Sequence, residues 1–259
     1  MLLTTQLIGF GASSGEAAAF DPLTLSPYVW LQFNDISTLF TDSAGMTPVT
    51  ADGDKIGKAS DKSGNARHFT QADNDRRASY ETNVINGLAA GEFGHSVATT
   101  ASLVGPDISS LTEGEAFVVI KAEADPPGDP PGNGLWHLGS ASSSSHVPYA
   151  DATIYDAFGT TARKTTGDPA TALTSWRLYN AVSASGEWTS FIDGTQHYTT
   201  GTNTVGFTNA PRLGGSFDSA SYYWVGQIAE FILFSSKLSG TDKTNLEAYF
   251  ASRYGLTIA

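Results

Sequence analysis

Residues 223–255 read YWVGQIAEFILFSSKLSGTDKTNLEAYFASRYG, and they decide the class of fold. The first half, through Ser236, is the longest of a series of apolar segments and reads as a strand. The second half changes period. Ser239 stands three residues before Asp242 in a capping-box arrangement, Leu246, Tyr249, Phe250 and Arg253 follow at helical spacing, and Gly255 is a stop signal. Arg253 suits the negative end of the helix dipole. This is the one segment that reads as a helix, and it should pack on the sheet through Leu246, Tyr249 and Phe250.

Working outward, the rest of the chain is strands and turns. YVWLQF (28–33), AFVVIKA (116–122), GLWHLGS (134–140), SWRLYNAVS (175–183) and EWTSFIDG (187–194) are short apolar segments, each stopped by Gly, Pro, Asn, Asp or Ser. Asp193-Gly194 is a tight-turn signal and predicts a hairpin from Glu187 into Gln196–Thr200. The stretch EADPPGDPPGNG (123–134) carries four prolines, which cannot donate to a ladder, and predicts a stiff surface loop, either a spacer or a contact arm toward a neighbouring subunit. No repeat of 20–50 residues is visible.

Composition agrees. The chain has 259 residues, 14 Lys plus Arg against 26 Asp plus Glu, a net charge of −12 and no cysteine. Scattered basic residues disfavour a nucleic-acid grip and an anionic membrane surface. Absence of cysteine removes disulfides, thiolate metal sites and Cys nucleophiles. No apolar run approaches the roughly 18 residues of a bilayer-crossing segment, so the chain reads as a soluble protein. One domain over residues 25–259 suits a sandwich of this length.

Residues 1–24 are expected to form an extended arm. Leu2, Leu3, Leu7, Ile8 and Phe10 lead into a Gly/Ala/Ser tract, and five large apolar side chains in ten residues are poorly placed in water, so docking on another protein is expected. A cleaved secretory signal is the competing reading. Against it stand the lack of Lys or Arg before the apolar part and the interruptions at Gly9 and Gly11.

YVWLQFNDISTLFTDSAG, DKSGNARHF, YETNVINGLAAGEF, RLGGS and the closing strand, helix and Tyr-Gly unit together resemble the laminin G-like branch of the concanavalin A-like lectin/glucanase superfamily, over residues 28–255. Bacteriophage and prophage genomes carry many such proteins, and the apolar arm resembles those of phage virion proteins. The resemblance implies an all-β fold: a jelly-roll sandwich of two antiparallel sheets with one C-terminal α-helix and an extended N-terminal arm. It implies no single activity, because one fold hosts unrelated sites.

The superfamily includes glycoside hydrolases, whose Glu-x-Asp-x-Glu string on one strand aims alternate carboxylates into a cleft. No such string occurs. Glu113-Gly-Glu115 is nearest and is expected to be a solvated turn; Glu230 lies in a strand without an acidic partner two residues away. His68, His95, His137, His146 and His197 show no metal-site spacing. Calcium is the better metal candidate, through Asp52-Gly-Asp54 or Asp73-Asn74-Asp75, yet neither continues into a twelve-residue loop ending in Glu, so no metal and no cofactor is assigned. There is no G-x-S-x-G elbow and no phosphate-cradling G-x-x-x-x-G-K-[ST]; the serine run SASSSSH (140–146) is expected to be a flexible loop tip.

Recognition remains. Aromatic rings pack on the apolar faces of sugars while polar groups fix the hydroxyl pattern. The candidates are Trp136, His137, His146, Tyr149, Tyr155 and Arg163, with Tyr222, Tyr223 and Trp224 as a second aromatic knot. For each aromatic the competing role is core packing. His146 and Tyr149 lead because they flank Pro148 after the serine run, and loops carry binding more often than strands. The function expected is a non-enzymatic phage virion protein, a head decoration or tail adhesin. The arm would dock it to other virion proteins, and its outward jelly roll would meet a host-surface polysaccharide. The alternatives are a polysaccharide depolymerase using carboxylates from separate strands and a secreted carbohydrate-binding module. Edge strands of a jelly roll can pair between subunits, which makes a homo-oligomer a candidate assembly.

Overall fold

The computed structural model describes residues 20–94, 101–128, 133–217 and 222–259. In chain order the strands are β1 Val29–Gln32, β2 Leu39–Phe40, β3 Lys55–Ile56, β4 Lys58–Ala59, β5 Phe69–Thr70, β6 Ala78–Ile85, β7 Leu88–Phe93, β8 Leu103–Val104, β9 Gly114–Ala122, β10 Trp136–Gly139, β11 Ile154–Asp156, β12 Lys164–Gly167, β13 Arg177–Ala184, β14 Glu187–Ile192, β15 Thr195–Thr200, β16 Phe207–Leu213 and β17 Gly226–Phe234, followed by helix α1, Gly240–Tyr254. The larger sheet runs β15-β14-β13-β9-β17-β7-β6-β3, with β1 also on β17; the smaller runs β10-β16-β8-β5-β4-β2. β11 and β12 form a separate ribbon. The fold is the all-β lectin-like sandwich with one C-terminal helix.

The long apolar runs are explained by a sheet buried on both faces, since successive side chains of a strand point to opposite sides. On β9, Ala116, Val118 and Ile120 face the smaller sheet, while Phe117 and Val119 meet Leu246, Phe250 and Tyr254 of α1. On β17, Phe231 and Leu233 point into the sandwich and Ile232 and Phe234 point under the helix. Phe250 stacks on Phe117 with 6.1 Å between ring centroids.

The helix ends follow the sequence signals. Ser239 Oγ accepts the Asp242 amide at 3.2 Å, and Gly255 closes the helix in the left-handed region at φ 66. Its buried residues are Leu246, Phe250 and Tyr254, so the packing stripe runs one turn further than expected and Tyr249 is only half-buried. In the β14–β15 hairpin, Asp193 and Gly194 both have positive φ, 49 and 78, the backbone a two-residue reverse turn needs to match strand twist.

Glu115 corrects one expectation. It is not in a solvated turn but inside β9 and 1% exposed, accepting the Leu238 amide at 2.8 Å and Asn180 Nδ2 at 3.1 Å, with Lys243 Nζ at 3.7 Å. A strand that begins two residues earlier than its apolar run, at Gly114, carries this carboxylate under the start of α1.

Candidate functional site

The segment after β10 builds a pocket. The chain turns back on itself between His146 and Tyr155, whose amides and carbonyls exchange two hydrogen bonds, His146 N to Tyr155 O at 2.7 Å and Tyr155 N to His146 O at 2.9 Å. The turn is closed by Tyr149 N to Thr153 O at 2.9 Å and Ala152 N to Tyr149 O at 2.9 Å. Asp151 secures it, taking the Thr153 amide on one oxygen and the Tyr155 hydroxyl on the other, at 3.0 and 2.9 Å. Those hydrogen bonds hold the Asp151 carboxyl below its usual range. His146, Tyr149 and Tyr155 are thereby set on one side of a short, pinned turn.

Two distant pieces of chain complete it. Tyr222 brings its ring to 4.5 Å from His146, and Tyr149 stands 4.8 Å from the same imidazole. Tyr222 is held by its carbonyl accepting the Ser216 amide at 3.0 Å and by close packing on Gly134, where a Cβ would fall 2.5 Å from the Tyr222 oxygen. Arg163 lies over the Tyr155 ring at 4.6 Å and donates to the Ser144 carbonyl at 2.9 Å. Together His146, Tyr149, Tyr155, Arg163 and Tyr222 line a pocket of about 270 Å³.

His146 gives the pocket its chemical character. It is 4% exposed, and its Nδ1 is buried with no hydrogen-bond partner among the described residues. Burial, helped by the nearby Arg163 charge, lowers its pKa to about 4, so near neutrality the ring is uncharged. Nδ1 is then an acceptor or an N–H donor according to tautomer, and a hydroxyl satisfies either. Two residues whose backbones bond the pocket's segments, Asn133 to Val147 and Ser216 to Tyr222, also bury a polar side-chain atom, Oδ1 and Oγ, without a partner among the described residues. Buried polar atoms are normally paired, so the unpartnered Nδ1 makes His146 an unsaturated polar point on the pocket wall.

Four of the six residues expected from sequence meet here; Trp136 and His137 do not. Trp136 is fully buried, with Nε1 donating to Asp156 at 2.9 Å and its ring packed between Phe158 and Tyr179. No face of it is open to a ligand, and it is a core residue. His137 follows it on β10 and therefore points to the opposite face, where it lines another pocket with Arg212 and Phe217. The second aromatic knot divides as well: Tyr222 joins the His146 pocket and Trp224 enters the core. The serine run is not a loose tip throughout, because Ser144 and Ser145 are buried and Ser145 Oγ accepts the Ala157 amide at 3.1 Å. Leu2, Leu3, Leu7, Ile8, Phe10 and His95 lie outside the described residues.

The acids are arranged as structural nodes. Asp156 is fully buried and receives Trp136 Nε1, the Tyr179 hydroxyl at 2.8 Å and the Phe158 amide at 2.9 Å. Glu230, fully buried under α1, receives Trp30 Nε1 at 2.5 Å, the Tyr254 hydroxyl at 2.5 Å, the Tyr249 hydroxyl at 3.0 Å and Gln32 Nε2 at 3.3 Å. Burial raises both carboxyls against the lowering effect of those donors. The calcium candidates are engaged by backbone and hydroxyl donors: Asp52 accepts the amide and hydroxyl of Thr82 on β6, while Asp54 accepts the Thr50 and Ala51 amides and Asp73 the Asp75 amide within their own turns. Among the described residues no three His, Asp or Glu side chains are grouped to hold a metal ion.

No family model matches the chain, and no curated protein matches it in sequence. Solved structures do. Domain 4 of AbnA, a GH43 extracellular arabinanase from Geobacillus stearothermophilus solved with arabinotriose, is similar over 85% of this chain and 97% of that domain, at 14% identity and TM-score 0.53. The botulinum neurotoxin serotype D binding domain is similar over 86% of this chain and 50% of its own, at 14% identity and TM-score 0.51. A Trypanosoma rangeli sialidase is similar over 88% of this chain and 33% of its own, at 10% identity and TM-score 0.52. The chain thus spans nearly all of the arabinanase domain, half of the toxin domain and a third of the sialidase. These likenesses show the fold, a lectin-like β-sandwich.

Proposed function

We propose that the protein is a non-enzymatic carbohydrate-binding domain whose site is the pocket of His146, Tyr149, Tyr155, Arg163 and Tyr222. The observation that carries this is the uncharged His146 imidazole, its Nδ1 unpartnered among the described residues, beside three tyrosines. Sugars present C–H faces for the rings and hydroxyls that both donate and accept, which is what an imidazole nitrogen of either tautomer requires. At about 270 Å³ the pocket is slightly smaller than the roughly 300–1,000 Å³ typical of drug-sized ligands, so it suits the end unit of a chain. The solved arabinanase domain with arabinotriose makes arabino-oligosaccharides the first probe.

The virion setting belongs to the same proposal. Leu2, Leu3, Leu7, Ile8 and Phe10 dock the chain to a phage particle, and the sandwich faces outward toward host polysaccharide. What supports it is the density of apolar side chains in the first ten residues and the Gly/Ala/Ser tract that follows. Glycan-array screening of the full chain beside Tyr149→Ala tests the binding. A saccharide class retained by the wild type and lost by the variant is expected, and a silent wild type overturns it. Removing residues 2–20 should leave a folded domain that no longer joins particles; assembly of that form overturns the docking role. Release of reducing ends from a bound polysaccharide would replace a binding domain with a depolymerase.

A further inference from the structure

A second pocket, of about 460 Å³, lies where β10 and β16 pair, on the side of the smaller sheet away from the core. His137 and Arg212 are direct register partners there. Phe217, 48% exposed, stands edge-to-face with His137 at 5.5 Å, and Ser109 and Asn209 complete the polar wall. His137 Nε2 is 3.2 Å from Thr208 Oγ1, and burial together with the Arg212 charge keeps the ring neutral, at a pKa of about 4.

The charge of this pocket is opposite to that of the molecule. In a chain of net charge −12, Arg212 is half-buried and makes no ion pair or side-chain hydrogen bond among the described residues. Burial and the like charge of Arg76 both press on it, lowering its pKa. Asp107, next to the pocket wall in sequence, spends its carboxylate on the Ser109 amide at 2.7 Å. A partly desolvated guanidinium that makes no ion pair among the described residues favours an incoming anion, and its planar fork suits a carboxylate. The exposed Phe217 ring alongside offers an apolar platform, and Ser109 and Asn209 offer groups for hydroxyls.

We propose that this pocket is a second saccharide site and that it takes a carboxylated sugar, with the acid on Arg212 and the sugar ring on Phe217. The proposal shares its ligand class with the reading above but none of its residues, so the two fail separately.

The test is NMR titration of the full chain, following the His137 Cε1–H resonance, with tri-galacturonic acid, galactotriose and inorganic sulfate. Tri-galacturonic acid should move the resonance. Its apparent Kd should weaken at least tenfold in Arg212→Gln and in Phe217→Ala and stay unchanged in Tyr149→Ala, while galactotriose at the same concentration leaves the resonance in place. No response to tri-galacturonic acid overturns the proposal, and so does an equal response to galactotriose. A response lost in Tyr149→Ala but kept in Arg212→Gln would assign the ligand to the other pocket. Sulfate binding as tightly as tri-galacturonic acid, with Phe217→Ala without effect, would reduce the site to a bare anion hole and remove the sugar.

Discussion

Glu230 and His146 are both buried polar side chains surrounded by tyrosines, and their hydrogen bonds set them apart. Glu230 sits between β17 and α1 with two tyrosines, a tryptophan and a glutamine donating to it. His146 sits between Tyr149 and Tyr222, its Nδ1 without a partner among the described residues, in a pocket open to solvent. A saturated buried carboxylate fastens a helix to a sheet; an unsaturated imidazole on a pocket wall is, on the function proposed above, where a ligand binds. The difference teaches that hydrogen-bond saturation, not burial alone, separates a structural node from a proposed recognition site.

The largest effect that would sharpen this contrast is at Glu230. Glu230→Ala takes the acceptor from the buried Trp30 Nε1 and Tyr254 hydroxyl and from the half-buried Tyr249 hydroxyl, while Gln32 Nε2 keeps Tyr249 Oη; stability should fall by about 3–5 kcal/mol, read as a shift of the denaturation midpoint, with saccharide binding of the folded fraction unchanged. A mild effect there would break the contrast by making Glu230 dispensable to the fold. Next comes Tyr149→Ala, where binding should drop at least tenfold, about 1.4 kcal/mol. Because Tyr149 is only half-buried, stability should move by no more than about 0.5 kcal/mol. A variant that loses stability but keeps binding inverts the assignment.

The two nodes also answer pH with opposite sign. Burial raises Glu230 above its ordinary 4.5, so the native state holds more protons than the unfolded chain above that value, and stability declines as pH rises through the raised native pKa. His146 is lowered from 6.5 to about 4, so the unfolded chain binds more protons in that window, and stability declines as pH falls from 6.5 toward 4 and levels off below. His137, lowered alike, adds to the same limb. His146→Asn should flatten part of the acid limb of the stability curve, and the His146 ring in the wild type should titrate near 4; a midpoint at 6.5 would contradict its burial. The smallest effect is at the helix start, where Ser239→Ala should cost about 1 kcal/mol and leave binding untouched.

Much of the fold was legible because its signals are local. Asp193-Gly194 named a turn whose two positive φ values any chain must meet with such residues, and Ser239, Asp242 and Gly255 marked a helix by caps that involve only their neighbours. The site was legible in part. His146, Tyr149, Tyr155 and Arg163 lie within eighteen residues and are gathered by one turn, whereas Tyr222 arrives from another strand connection and carries no local mark of doing so. Trp136 and His137 could have been separated by strand alternation, which sends one of any adjacent pair inward. Glu115 was misread because its burial depends on α1, more than a hundred residues later, folding down over β9.

A crystal structure of the full chain with the saccharide that the array selects tests the central claim most directly. A sugar ring against Tyr149 and Tyr222, with a hydroxyl within hydrogen-bond distance of His146 Nδ1, is the result predicted. A saccharide bound elsewhere, with that nitrogen still unpartnered, would contradict it.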